Sequence, residues 1–198
     1  MKYQNFILII SGPSGSGKTT ICKSLSKLDE NLFYSVSVTT REKRANEIDG
    51  IDYIFLSKDE FLKMVKNEEF LEFAEIYGYF YGTPKKPIFE NLRKNKDIIM
   101  DIDVQGKRRI ERNFQGRVIS VFLLPPSREV IIARLKMRND LSGNELEKRI
   151  SLIEKELDYR WEYDYWIIND ELEKAILDVK KIIDAERLKG KYITLNIK

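Results

Sequence analysis

"FILIISGPSGSGKTTICKSLSKL", residues 6–28, decides the fold. Its opening run, Phe6 to Ile10, is short, apolar and rich in β-branched residues, as in a strand covered on both faces. Its closing run, Thr19 to Leu28, carries Ile21, Leu25 and Leu28 at helical spacing. Between them Gly12, Gly17, Lys18 and Thr19 satisfy the pattern GxxxxGK[ST], with "PSGS" in the variable positions. Glycines let the backbone turn tightly so that amides point at phosphate oxygens, and the following helix adds its positive N-terminal end. Lys18 is then in reach of β- and γ-phosphates, and the Thr19 hydroxyl is a ligand for Mg²⁺. Gly12, Pro13, Ser14, Gly15, Ser16, Gly17, Lys18, Thr19 and Thr20 are therefore predicted to bind ATP. The competing interpretation, a glycine-rich turn without chemistry, does not explain the strand before it and the helix after it.

The composition narrows the chemistry. With 198 residues, 42% hydrophobic and 34% charged, the chain can bury a real core as one domain with a smaller insert. It contains no histidine, which removes phosphohistidine intermediates, serine–histidine catalysis and zinc chemistry from consideration. A single cysteine, Cys22, excludes an internal disulfide and fits a reducing compartment; on the first helix it reads as a small buried hydrophobe. The 35 basic and 32 acidic residues leave a charge of +3, no footprint for nucleic acid. Lys107, Arg108 and Arg109 form a local basic run, read as a solvated helix face. Phe6 to Ile10 is too short to span a bilayer and follows too few residues to be a signal peptide, so a cytoplasmic location is expected.

Beyond the opening unit, "SVSVTT" (35–40) and "IDYIFL" (51–56) are strand-like around a charged loop, "REKRANEIDG". Ser57 with Glu60 forms a capping box, followed by Phe61, Leu62 and Val65 on one helical face. The aromatic-rich pieces "FLEFAEI" and "YGYFYGTP" complete a block, about 35–90, that suggests an inserted subdomain. "DIIMDID" (97–103) and "RVISVFLLPP" (117–126) are further strands, the second stopped by its prolines. Ser127 can cap a helix carrying Ile131, Ile132 and Leu135; Ser142 with Glu145 can cap another running toward Arg160. "YWIIND" reads as the last core strand, and Leu172, Ile176, Val179 and Ile183 give a final helical stripe. Strands alternating with helices imply an α/β fold with a mostly parallel sheet. A phosphate loop is usually accompanied by an acid at the end of a neighbouring strand, and Asp101 fits that role, reaching Mg²⁺ or its water, with Asp103 on the same side of an extended chain. Capping of a turn is the alternative for Asp101.

"SVSVTTREKR", "GIDYIF", "FLEFAEIYGYFYGT" and "DIDVQG", together with "GPSGSGKT", stand in the order and approximate spacing of guanylate kinases. From about residue 6 to 188 the chain resembles a bacterial-type guanylate kinase, a phosphate-loop nucleoside monophosphate kinase. The resemblance implies a phosphate-loop NTPase fold with a parallel core sheet flanked by helices (about 1–34, 91–133 and 150–198). It adds a mixed α/β GMP-binding subdomain (about 35–90) and a helical lid (about 134–149). It implies that Arg41, Arg44, Tyr53 and Tyr81 bind the acceptor phosphate, for which forked guanidinium donors and phenolic hydroxyls are suited. It assigns guanine to Glu72 and Asp103, with Ser37 and Thr83 facing the base oxygen. A carboxylate accepts from both N1–H and N2–H₂ of guanine, donors that adenine lacks. On the donor side, Arg134, Arg138 and Arg149 flank "NDLSGNELEK" and match the lid arginines; Asn169 matches a residue near adenine or caps the last helix.

The reaction so implied is transfer of the γ-phosphoryl of ATP to GMP or dGMP, with Mg²⁺, in purine nucleotide metabolism and GMP recycling, involving neither nucleic acid nor membrane. Two departures stand in the acceptor loop, where Lys43 and Asn46 replace the family's usual proline and glycine. "DYRWEYDYW" (158–166) is read as a helix end and strand packed on the core. Rival readings are a phosphate-loop kinase with another acceptor and a binding module without catalysis; Glu72 with Ser37 and Thr83 speaks against the first, Lys18 with Thr19 against the second.

Overall fold

In the computed structural model the apolar run of residues 6–10 becomes the middle of the core sheet. The structure describes residues 2–76, 78–137 and 143–194. The chain begins β1 (Lys2–Tyr3), β2 (Ile7–Ser11), α1 (Lys18–Leu28), β3 (Leu32–Tyr34), β4 (Val38–Thr39), β5 (Ile54–Phe55) and α2 (Lys58–Lys66). It continues β6 (Phe70–Ile76), β7 (Tyr79–Pro84), α3 (Lys85–Arg93), β8 (Asp97–Asp101), α4 (Val104–Asn113) and β9 (Val118–Leu124). It closes with α5 (Arg128–Lys136), α6 (Gly143–Asp158), β10 (Tyr165–Ile168), α7 (Leu172–Arg187) and β11 (Ile193–Thr194).

Five strands form a wholly parallel sheet in the order β10-β9-β2-β8-β3. Every residue of β2 is buried, and strand alternation sends its side chains to opposite faces. Leu8 and Ile10 pack with Ile21, Cys22 and Leu25 of α1 and with Ala175, Val179 and Ile183 of α7. Ile7 and Ile9 pack against Ile88 of α3 and Ile110 of α4. Helices on both faces of a parallel sheet are the predicted architecture. Among the described residues no helix is long and apolar enough to cross a membrane.

A second, mixed sheet runs β5-β4-β7-β6, with β4 parallel to β5 and the other pairs antiparallel. Its core is small. Phe61 of α2 stacks on Phe70 (4.6 Å between centroids) and Phe80 (5.4 Å), with Val38 beside them. The Ser57–Glu60 capping box forms as read, and Ser127 caps α5.

Several readings change. The strands expected over 35–40 and 51–56 shrink to two residues each; before the second, residues 48–53 instead fold into a turn in which Ile48 O accepts from Ile51 N and Asp52 N. Leu28, at the end of α1, is 67% exposed, past the edge of the core. Leu62 also points outward, since adjacent helical residues diverge by about 100° and Phe61 takes the inward direction. Lys107 is no solvated cation: it is buried over the Tyr163 ring, donates to Glu162 O and pairs with Glu111 at 2.9 Å. Asp103 is still extended, as read, and in addition caps α4 through Gly106 N. In 158–166, Tyr163 packs on Phe122 as expected, whereas Trp161 and Trp166 lie exposed, edge to face at 4.5 Å. Ser142 of the expected second capping box lies outside the described residues. Near the C-terminus, β11 pairs antiparallel with β1.

Candidate active site

The loop between β2 and α1 turns at Gly17, the N-cap of α1, with φ 99°. A Cβ there would fall 2.5 Å from Asn169 Nδ2, so glycine is required both by conformation and by space. Asn169, just after β10, donates from Nδ2 to Ser16 O at 2.7 Å, and its own carbonyl accepts from Arg134 Nη2 at 3.0 Å. Both residues brace the back of the loop; Asn169 does not cap α7, whose N-cap is Glu171. Lys18 Nζ donates to Gly12 O (2.7 Å) and Pro13 O (3.1 Å), which holds its ammonium across the loop. From α6, Arg149 Nη1 donates to Ser14 Oγ at 3.0 Å, bringing a buried guanidinium to the loop's outer side. The first turn of α1 has no acidic residue of its own, so its amide end stays open to an anion from the cleft.

Below the loop, Thr19 Oγ1 donates to Asp101 Oδ2 at 2.5 Å and Tyr34 OH donates to Asp101 Oδ1 at 2.8 Å. Desolvation raises the Asp101 pKa, and the hydrogen bonds from Thr19 and Tyr34 and the charge of Lys18 pull against it. Tyr34 was not singled out from sequence. Burial pushes the Cys22 thiol up, as befits an inert core residue. Among the described residues no three acidic, cysteine or histidine side chains cluster to cage a metal. A hydroxyl and one carboxylate beside a phosphate cradle are a donor set that suits Mg²⁺, which keeps water and substrate phosphate oxygens in its shell.

The facing wall belongs to the second sheet and the loop before β5. Arg41 is nearly buried, with its guanidinium carbon 5.6 Å above the Tyr53 ring and 5.7 Å from that of Phe55. Tyr53 meets Tyr81 edge to face at 6.0 Å. Glu47, which sequence reasoning passed over, ties this wall together. Its carboxylate accepts from Arg41 Nη2 through both oxygens (2.7 and 3.0 Å), from Arg44 N (2.9 Å) and from Arg44 Nη1 (3.4 Å). The only available signal was its place in a loop of alternating charge, since no helix or strand gives the pair Arg41 and Glu47 a recognisable spacing. The departures at Lys43 and Asn46 leave that loop anchored. Asp52 Oδ2 accepts from Ile48 N at 2.7 Å, and its other oxygen meets Lys23 of α1.

Deeper in, Glu72 on β6 is buried and accepts from Thr83 Oγ1 of β7 at 2.5 Å. Burial pushes the Glu72 carboxyl up to about 7; the Thr83 hydrogen bond opposes this, the Asp103 charge adds to it, and the Arg109 charge lowers it. Asp103 Oδ1 accepts from Gly106 N at 2.7 Å.

One cleft of about 220 Å³ joins both walls. Gly12, Ser14, Gly15, Gly17, Lys18, Thr19 and Thr20 line one side; Ser37, Arg41, Arg44, Tyr53, Glu72 and Tyr81 line the other; Asp101, Asp103 and Arg149 bound it. Pro13, Ser16, Thr83, Arg134 and Asn169 stand behind that lining. Thr83 Oγ1 meets Glu72 at the edge of this lining. Arg138 lies outside the described residues.

The sequence profile of the guanylate kinase family matches residues 4–186. The chain belongs to the guanylate kinase family. A guanylate kinase of Carboxydothermus hydrogenoformans is 43% identical over 98% of this chain and 95% of its own length. That of Rickettsia prowazekii is 43% identical over 96% of this chain and 97% of its own. A crystal structure of guanylate kinase from Anaplasma phagocytophilum superposes with a TM-score of 0.80 at 33% identity, over 97% of this chain and 91% of that one. The chain is thus a nucleotide-binding phosphotransferase with the phosphate-loop kinase fold.

Proposed function

We propose that the chain transfers the γ-phosphoryl group of ATP to GMP, and equally to dGMP, giving ADP and GDP or dGDP in purine nucleotide metabolism and GMP recycling. The observation that carries this is the single cleft whose two walls differ in chemistry: a backbone cradle with Lys18 and Thr19 faces two arginines and a buried carboxylate. ATP occupies the first wall, held by residues 12–20, with Asn169 and Arg134 bracing the loop. GMP occupies the second, its phosphate on Arg41, Arg44, Tyr53 and Tyr81. Its base meets Glu72 and Asp103, with the Ser37 and Thr83 hydroxyls facing the base oxygen. Adenine would leave Glu72 without its donors, a mismatch that discriminates strongly in a buried site.

Phosphoryl transfer requires positioning and charge stabilisation more than covalent chemistry, in keeping with a chain that has no histidine. Lys18 and the lid arginines Arg134, Arg138 and Arg149 neutralise the migrating group, Arg134 with the N–H donors it does not give to Asn169 O, while Arg41 and Arg44 hold the acceptor in line. Thr19 and, directly or through water, Asp101 hold Mg²⁺, which supplies charge neutralisation at the ATP phosphates. A core of about 1–34, 91–133 and 150–198 carries the cradle. The GMP-binding part (about 35–90) and the lid (about 134–149) close over it and exclude water, which limits wasteful hydrolysis of ATP. The enzyme works in the cytoplasm on small-molecule substrates.

An ADP-release assay with Mg²⁺, ATP and a panel of GMP, dGMP, AMP, CMP and UMP tests this. GMP and dGMP are expected to exceed the others in kcat/KM by about a hundredfold or more. Equal or better turnover of AMP overturns the guanine assignment.

A further inference from the structure

The segment "DVQG", residues 103–106, contributes more than one aspartate. It ends in Gly106, in the first turn of α4 where that helix meets β6. Gly106 is buried and helical, so no left-handed backbone explains the glycine. Space does. A Cβ on residue 106 would lie 2.9 Å from Glu72 Oε2, 3.1 Å from Glu72 Cδ and 3.2 Å from Asp103 Oδ1. No real contact survives at the first of these distances, so something must shift. The helix backbone is fixed by its own hydrogen bonds and by the Asp103 cap, whereas the Glu72 carboxylate is the far end of a flexible side chain. The displacement therefore falls on Glu72. Its other oxygen is already bonded to Thr83 Oγ1, so it has little room to give without breaking that bond.

From this we infer that Gly106 is a specificity-setting position of the acceptor site, acting through both guanine-facing acids at once. Its amide donates to Asp103 Oδ1 at 2.7 Å and fixes that carboxylate. The absence of its side chain lets the Glu72 carboxylate press against the first turn of α4. The two acids are thus placed relative to each other by one residue that touches no substrate. The inference rests on the reading of Glu72 as the guanine-binding acid and deepens it: the width of the gap between β6 and α4 sets how well the N1–H and N2–H₂ edge is met.

Gly106→Ala is the test, because alanine is the better helix former, which offsets part of the cost of moving Glu72. It should raise KM for GMP about tenfold to a hundredfold, as expected when a binding group is pushed off by a fraction of an ångström to an ångström. KM for ATP should stay within about twofold and the GMP over AMP preference in kcat/KM should narrow in the same proportion. The melting temperature should fall by no more than about 5 °C. Glu72→Gln and the double variant complete a cycle, in which Gly106→Ala has little further effect once the acid is gone. An unchanged KM for GMP in Gly106→Ala, with Glu72→Gln impaired, overturns this inference alone. An unchanged KM in Glu72→Gln overturns the guanine reading beneath it. A Gly106→Ala enzyme that melts earlier and loses ATP and GMP alike shows a purely structural glycine and overturns the inference too.

Discussion

The two walls of the cleft are built on opposite principles. The donor wall is backbone, nine consecutive residues turned by glycines and mounted on a parallel sheet whose central strand is wholly buried. The acceptor wall is side chains, gathered from β6, β7, the loop before β5 and the first turn of α4, on a mixed sheet whose core is little more than Val38, Phe61 and Phe70. A rigid cradle suits phosphates common to every nucleotide. A lightly cored sheet carrying charged side chains suits the part of the site proposed above to recognise one base and to close.

That contrast predicts separable losses. The largest concerns the donor wall: Lys18→Ala should lower kcat by about a thousandfold, the scale of removing a transition-state cation, while the dissociation constant for GMP changes less than about threefold. Isothermal titration beside steady-state kinetics checks it, and a GMP affinity lost in parallel would mean that Lys18 serves both walls.

Next comes the small aromatic core. Phe61→Ala removes a fully buried ring stacked on Phe70 and Phe80 and should cost about 3–5 kcal/mol where the sheet is cooperative with the rest of the fold. If the second sheet opens on its own, hydrogen exchange will instead show protection lost over β4 to β7 and kept in β2, β8 and β9.

Glu47→Gln keeps the shape of the clip and removes its charge. With Arg41 and Arg44 less firmly held, KM for GMP should rise about tenfold with kcat for bound substrate little changed. A KM that falls would show Glu47 to be a competitor for the arginines instead of their support.

The gentlest perturbation is pH. On the proposed reading guanine needs Glu72 ionised, and burial pushes that carboxyl up to about 7. KM for GMP should therefore rise about tenfold per unit as pH falls below that value. In Glu72→Gln only the titration of the GMP phosphate should remain. The same shift acts on stability with its own sign. The folded pKa lies above the ordinary 4.5, so the folded state binds more protons between pH 4.5 and about 7, and the contribution of this carboxyl to stability falls as pH rises through that window.

The contrast between the walls also decides what could be read from the sequence. The strand, glycine loop and helix of residues 6–28 are contiguous, and their periodicity and glycine spacing are enough to give both element types and chemistry. The core strands followed because burial on both faces leaves apolar runs without alternation. The acceptor wall is non-local: Glu72 and Asp103 lie 31 positions apart, and only the ordered set of motifs shared with guanylate kinases connected them. Glu47 and Tyr34 were missed because their roles exist only in three dimensions. One is a carboxylate facing a loop's own arginines; the other is a hydroxyl directed at Asp101 from a buried ring. Gly106 was quoted within a motif yet unread, since a missing Cβ has meaning only when its neighbour is known. Lys107 misled because charge in a helix was equated with solvent, whereas its ammonium reaches a carbonyl and a carboxylate from a buried stem.

The central claim is that one wall reads guanine while the other only cradles phosphate. Kinetics of Glu72→Gln with GMP and ATP varied in turn tests it most directly. The account expects KM for GMP to rise by about a hundredfold with KM for ATP within about twofold of the parent enzyme; a larger change for ATP than for GMP would contradict it.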